Sequence, residues 1–248
     1  MIGIVGGMGP LAGLDVYRKI IEETKAVRDQ DHPSVLLFSL PSAVPDRTEF
    51  LLGREKINPG YAIAQVLLKL EAAGATVAGI PCNTAHAPEI LEVVSEELKA
   101  RKSKLQLVHL IKTSADHLRI NYPDKRIGIL STTGTRRTGL YKNALEKEGM
   151  LVIEPDESWQ QRIHSAVYDE EYGIKAIGHP VSEKAISELK LAMETIKESG
   201  AEVLLLGCTE IPLALSMTDY EGLPVIDPNR LLARKLMERN SERAISGS

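Results

Sequence analysis

Apolar residues in this chain fall into short blocks separated by longer stretches with a helical period. The blocks are "IGIVGG" (2–7), "SVLLFSL" (34–40), "TVAGIP" (76–81) and "LQLVHL" (105–110). Runs of this length read as strands buried on both faces. Between them, "LAGLDVYRKIIEETKAV" (11–27), "NPGYAIAQVLLKLEAAG" (58–74) and "APEILEVVSEELKAR" (87–101) place apolar positions on one helical face. Gly74 is suited to the C′ position of the second helix, and Pro88 to the first turn of the third. Strands alternating with helices predict an α/β protein, its parallel sheet covered by helices on both faces.

The second half of the chain echoes the first. "IGIVGGMGP" (2–10) reappears as "RIGILSTTGT" (126–135), with Ile2 falling on Ile127. "AAGATVAGIPCNT" (72–84) lies on "ESGAEVLLLGCTE" (198–210) without a gap, which puts Gly74 on Gly200 and Cys82 on Cys208. "LQLVHLI" (105–111) has a fainter counterpart in "LPVIDPN" (223–229). Three echoes in the same order predict two pseudo-symmetric lobes, each a parallel four-stranded sheet flanked by helices, with the active site in the cleft between them. Lobe one is expected over 1–111 with 222–248, and lobe two over 112–221. Helices at 112–121 and 229–240 would carry the chain across and back, an arrangement that favours a cleft able to open and close.

Composition narrows the class. Of 248 residues, 43% are hydrophobic and 26% charged, as in an ordinary globular protein, and the formal net charge of −4 shows no basic bias toward nucleic acid. The one short basic cluster, "RKSK" (101–104), reads as a solvated loop. No apolar run has the length of a membrane span, and "MIGIVGGMGP" lacks the charged region and cleavage site of a signal peptide. The expectation is a cytoplasmic protein with no membrane or nucleic-acid partner. The closing "SERAISGS" is expected to fray. Two cysteines and six histidines without ligand spacing predict no metal site, and His86, His109 and His179 read as structural.

Those two cysteines are the candidate chemistry. In parallel α/β sheets, ligands sit beyond the carboxyl ends of the strands. Cys82 and Cys208 each lie where a strand gives way to a helix start, where backbone N–H groups favour a thiolate. Two thiols on opposite sides of a carbon can invert it, one removing a proton as thiolate and the other returning one as acid. A lone cysteine at a strand end is usually packing; two at equivalent repeat positions favour chemistry.

In combination, "PCNTAH" (81–86), "LGCTEIP" (206–212) and "GGMGP" (6–10) resemble the aspartate/glutamate racemase superfamily over nearly the whole chain. The resemblance implies a racemase that works without pyridoxal phosphate or any other cofactor. It makes Cys82 and Cys208 the two-base pair, with Cys82 facing the L-isomer, and implies a homodimer. Within the superfamily, "PDRT" (45–48) and "YGIK" (172–175) resemble the aspartate racemase branch, whose functional Arg and Lys fall on Arg47 and Lys175. Glu210 stands where glutamate racemases of cell-wall synthesis usually carry His, which argues against glutamate as the main substrate. The paired arginines of "GTRRTGLY" (134–141), and the continuation of "IKAIGHP" (174–180), depart from the branch pattern and bear on substrate choice.

The remaining candidates follow from chemistry. Asn83, Thr84 and Thr209 offer hydrogen bonds to a carboxylate or caps to the following turns. Ser131, Thr132, Thr133 and Thr135 crowd the end of lobe two's first strand, as an anion site would, or as a plain polar turn. Backbone N–H groups after Met8 and around Cys82 would stabilise charge developing beside the α-carbon. Arg47 suits two-pronged pairing with a carboxylate, though alone it reads as a solvated charge; the same holds for Lys175. Glu210 would orient or tune Cys208, or simply favour a helix start. The expected partner is a dicarboxylic amino acid, aspartate first. The alternatives are a broad-specificity aspartate/glutamate racemase, a hydantoin racemase, a maleate isomerase, an arylmalonate-type decarboxylase, or a non-catalytic binder of small carboxylates. A nucleotide-dependent oxidoreductase ranks below these, since "GGMGPLA" (6–12) is a loose fingerprint and no acid ends the second strand.

Overall fold

The computed structural model describes residues 1–246, with side chains through residue 242. The chain divides into two compact units, Met1–Thr113 with Asn229–Ser248, and Ser114–Pro228.

The first unit is built from β1 (Ile2–Gly6), α1 (Pro10–Glu23), β2 (Val35–Ser39), α2 (Arg47–Leu51), α3 (Pro59–Ala72), β3 (Val77–Gly79), α4 (Pro88–Ala100) and β4 (Gln106–Val108), followed by α5 (Leu110–Asn121). Its four strands are parallel in the order β2-β1-β3-β4. Every residue of β1 is buried, as the continuous apolar run implies. Val5, Ala78 and Ile80 pack with Ile63, Leu67, Ile90 and Val94 of α3 and α4. Ile2, Ile4, Val77 and Val108 pack on the opposite side with Val16 and Ile20 of α1.

Local chemistry sets the helix ends. Pro59 opens α3 with Asn58 as N-cap, whose Oδ1 accepts from the Gly60 N–H at 2.8 Å. Gly74 takes a left-handed φ of +99° just after α3, and Ala75 N–H donates to Leu70 O at 2.9 Å. This is the glycine stop read from sequence. Pro88 is the first residue of α4.

The second unit contains β5 (Arg126–Leu130), α6 (Thr133–Arg137), α7 (Leu140–Lys147), β6 (Leu151–Ile153), α8 (Glu157–Tyr168), α9 (Glu183–Glu198), β7 (Val203–Leu206), α10 (Ile211–Ala214), β8 (Asp219–Tyr220) and β9 (Leu223–Ile226). Its order, β6-β5-β7-β9-β8, repeats the first sheet and then adds β8, a two-residue strand antiparallel to β9. The second sheet therefore has five strands where the repeat predicted four. Gly200 mirrors Gly74, with φ +96° and Ala201 N–H donating to Ile196 O at 3.2 Å. The opening bond of each central pair is also repeated. Thr76 N–H donates to Met1 O, and Glu202 N–H to Arg126 O, both at 2.9 Å.

The sequence boundary at 222 stands before β9, but β9 pairs with β7, and the units divide at Pro228. From there α11 (Pro228–Ser246) returns to the first unit, where Leu232 and Leu236 join Ile2, Ile4 and Val77. The closing octet expected to fray lies partly outside the described residues; its described part continues α11.

Candidate active site

In the first unit, the chain leaves β3 at Gly79 and turns sharply, with Cys82 N–H donating to Ile80 O at 2.8 Å. A single 3-10 turn, Thr84–His86, follows before α4 begins at Pro88. The expected helix start directly behind Cys82 is thus a short turn, because Pro88 fixes where α4 can begin. Cys82 is 5% exposed, and its Sγ lies 3.4 Å from Thr84 Oγ1. Asn83 is buried and makes no side-chain cap to the turn.

His86 holds this loop shut. Its Nε2 lies 3.1 Å from Ile80 O, so the ring bridges the two sides of the Cys82 turn. Burial, then the neighbouring His109, pull His86 down to about 3, so the ring is neutral and Nε2–H donates to the carbonyl. The His109 ring stands 4.7 Å away, tilted by 37°. The structural reading of both histidines fits this placement.

Met8 packs in the same apolar cluster as Cys82. Gly7, just before it, has φ +94°, and a Cβ there would come within 2.8 Å of Pro41 N, so the turn after β1 admits only glycine. Arg47 is buried at the start of α2, which lies against the 84–86 turn. Asp46 caps α2 by accepting from Glu49 N–H at 2.9 Å, and Arg47 Nη1 donates to Pro45 O at 3.2 Å. The "PDRT" stretch is therefore a capped helix start that draws an arginine inward.

In the second unit, Cys208 follows β7 through a turn in which Gly207 N–H donates to Leu205 O at 3.0 Å. A Cβ on Gly207 would lie 3.0 Å from Ser131 Cβ, so the cysteine turn packs directly on the end of β5. Ser131, Thr132 and Thr135 are buried there, beside half-buried Thr133. Helix α8 braces the same stretch. Gln160 Nε2 donates to Ser131 O at 2.8 Å, and His164 Nδ1 accepts from Thr133 N–H at 3.5 Å.

Around Cys208 the side chains form a connected polar chain. Cys208 Sγ donates to Glu210 Oε2 at 3.1 Å, and Thr209 Oγ1 donates to the same oxygen at 3.2 Å. Lys175 Nζ reaches Glu210 Oε1 at 2.6 Å. Glu210 stands at the N-cap of α10 yet makes no side-chain cap to it, because its carboxylate turns to Cys208 and Lys175. Cys208 is 7% exposed. Burial, then the Glu210 carboxylate, push its thiol well above the ordinary range, while Lys175 pulls it back. Burial opposes the Lys175 charge, but Glu210, Tyr168 and Cys208 outweigh it and raise its ammonium.

The "YGIK" stretch positions that lysine. Asp169 Oδ1 accepts from Glu171 and Tyr172 N–H at 2.9 and 3.1 Å, folding the chain back on α8. Ile174 and Lys175 N–H then donate to Ala166 and Val167 O, both at 3.0 Å. A Cβ on Gly173 would fall 2.6 Å from both N and O of Asp169, so only glycine fits the fold-back.

Sequence reasoning missed three residues of this surround. Tyr168 lies under the Lys175 ammonium, 5.2 Å from ring centroid to Nζ, and stacks on His164 at 4.7 Å. Tyr141 is fully buried on α7 and interacts electrostatically with Cys208. The available signal was the spacing of Gln160, His164 and Tyr168, four residues apart on one face of α8. Among the described residues, no group of three or more His, Cys, Asp or Glu is gathered as metal ligands would be. None of the described helices is long and apolar enough to cross a membrane.

Two α/β units of like strand order, each with a buried cysteine a few residues beyond its third strand, define a duplicated parallel-sheet protein. The chain belongs to the Asp/Glu/hydantoin racemase family, whose model matches residues 5–236. It is 27% identical over 238 residues to the broad specificity amino-acid racemase RacX of Bacillus subtilis, covering 94% of this chain and 95% of that one. Among solved structures, an aspartate racemase from Picrophilus torridus superposes with a TM-score of 0.79 at 27% identity, covering 96% of this chain and 93% of the other. An aspartate racemase homologue from Pyrococcus horikoshii gives 0.72 at 25% identity, covering 97% and 98%.

Proposed function

We propose that this protein racemises aspartate without a cofactor, using Cys82 and Cys208 as a two-base pair on opposite faces of the α-carbon. The observation that carries this reading is the equivalence of the two thiols, one beyond β3 and one beyond β7, in sheets of matching order. The Cys82 thiolate takes the α-proton of L-aspartate, and the Cys208 thiol gives a proton to the other face. The reverse reaction exchanges the roles. The raised Cys208 thiol suits the acid role in the first direction.

Arg47 takes a substrate carboxylate with its paired guanidinium donors. Asn83, Thr84 and Thr209 serve the other carboxylate, together with Ser131, Thr132, Thr133 and Thr135. Backbone N–H groups after Met8 and around Cys82 receive the charge that builds as the proton leaves. Glu210, paired with Lys175, tunes Cys208. The protein works in the cytoplasm as a homodimer. A broad-specificity racemase is the second reading, favoured by the similarity to the Bacillus subtilis enzyme of that name.

The test is a panel of single amino-acid enantiomers, followed by chiral chromatography and by deuterium uptake at the α-position. Aspartate should racemise fastest, and Cys82→Ser and Cys208→Ser should each lower the rate about a hundredfold or more. Near-normal racemisation in either variant would rule out the two-base pair. Comparable rates on neutral amino acids would select the broad-specificity reading.

A further inference from the structure

We infer that Lys175 is a positioning residue that acts through Glu210 on the proton held by Cys208, and does not serve as the receptor of the substrate's second carboxylate. The inference rests on the two-thiol reading above for its catalytic meaning.

Geometry commits the lysine inward. Its Nζ lies 2.6 Å from Glu210 Oε1, while the other carboxylate oxygen accepts from Cys208 Sγ at 3.1 Å. One carboxylate thus joins ammonium and thiol. The Lys175 side chain is 27% exposed and that of Glu210 6%, so the pair is shielded from water on the acid's side and the contact is weakly screened. Tyr168 holds the ammonium from beneath, and the backbone bonds of 174 and 175 to α8 remove slack from the chain behind it. An ammonium already matched by a near-buried carboxylate gains little by pairing with a second one, which it would have to share.

The two thiols are therefore unlike. Cys82 has the neutral hydroxyl of Thr84 against its sulfur, whereas Cys208 has an ion pair. The titratable groups facing that ion pair are Cys208, Tyr168 on α8 and Tyr141 on α7, the last acting on Cys208. Without the Lys175 charge, Glu210 opposes the Cys208 thiolate alone. Without the Glu210 charge, Lys175 favours it alone. The two single substitutions thus have opposite effects on one sulfur, which simple loss of structure does not produce. A lysine committed to Glu210 also leaves this part of the site without a demand for a dicarboxylate.

The experiment reads the sulfur directly. With Cys82→Ser, Cys208 is the one thiol left, and 13Cβ-cysteine labelling lets NMR follow its titration whether or not the protein racemises anything. Lys175→Met should move that titration to higher pH, Glu210→Gln to lower pH, and Lys175→Arg should leave it near the parent. In the protein with both cysteines, Lys175→Met should lower kcat about tenfold in the direction that needs the Cys208 thiolate, with KM for aspartate changed less than about twofold. An unmoved Cys208 titration in Lys175→Met overturns the inference, as does a tenfold rise in KM for aspartate at constant kcat. Glu210→Gln and Lys175→Arg keep the test open if Lys175→Met does not fold. Absence of racemisation in the parent protein would instead sink the two-thiol reading, since the NMR titration stands apart from it.

Discussion

Gly173 and His86 show how single positions hold the site without touching a substrate. The space at Gly173 is closed by the backbone of Asp169, which cannot swing away as a side chain would. Gly173→Ala should therefore shift the fold-back, displace Lys175, and cost about 1–3 kcal/mol in urea unfolding. A neutral outcome would mean that the 169–175 segment adjusts freely. His86 makes a different prediction. Its ring stays neutral down to about 3, whereas the unfolded chain takes up a proton near the ordinary 6.5. Between those limits the unfolded state binds the extra proton, so stability is lost as pH falls below 6.5, on the order of 1 kcal/mol per pH unit. Denaturant midpoints at pH 7 and pH 5 should differ less in His86→Gln than in the parent protein. The cysteines, Arg47 and Lys175 were legible in the sequence because repeat position or motif marked them. His164 and Tyr168 were not, since their importance comes from what the 169–175 fold-back lays over α8.

At the scale of elements, the repeat extends to how strands are started. Thr76 and Glu202 occupy equivalent positions and make the same backbone bond, but Glu202 adds its carboxylate to Lys125 at 3.0 Å and to Arg126 N–H at 3.1 Å. Those contacts, Lys125 first, lower Glu202 to about 2 from its ordinary 4.5. The depressed carboxyl contributes stability above 4.5, and this is lost as pH falls toward 2. On acidification from pH 5 to pH 3, thermal unfolding should therefore shift downward less in Glu202→Gln than in the parent; equal shifts would assign no role to this contact. Most strands were readable because buried parallel strands are unbroken apolar runs, but β6, three residues long and partly exposed, was not marked. Strand β8 was not, because two residues, Asp219 and Tyr220, cannot show a pattern. The boundary drawn at 222 cut β9 from the sheet whose repeat it completes, although "LPVIDPN" (223–229) already echoed the first half's fourth strand.

For the molecule as a whole, α11 is fastened to α1 by buried charge. Asp15 Oδ2 accepts from Asn229 Nδ2 at 2.8 Å and pairs with buried Lys19, while Arg18 donates to Oδ1 at 2.7 Å. Around this centre, Arg230 and Arg234 pair with Glu22 and Glu23. Removing one member leaves the other charge buried and poorly matched. Asp15→Ala should cost about 3–5 kcal/mol, and Asp15→Leu with Lys19→Met much less, by urea unfolding. A loss below about 1 kcal/mol for Asp15→Ala would make the pair incidental. Nothing in the alternation of apolar blocks announces this anchor, because Asp15 and Lys19 sit in an amphipathic helix where charges are expected on the wet side.

The return of α11 also sets an order of assembly during synthesis. A Cβ on Gly79 of β3 would lie 3.0 Å from the Cδ1 atoms of Leu232 and Leu236, so these leucines pack closely over the strand. Those leucines leave the ribosome only after every strand of the second unit has been made. The unit begun first is thus completed last, and until then the face of its sheet that α1 covers lacks the rest of its cover. A chain ending at residue 228 and released from the ribosome should protect the second unit from protease while leaving β1 and β3 more open to cleavage, which makes this interval the stage at which chaperone binding would matter most.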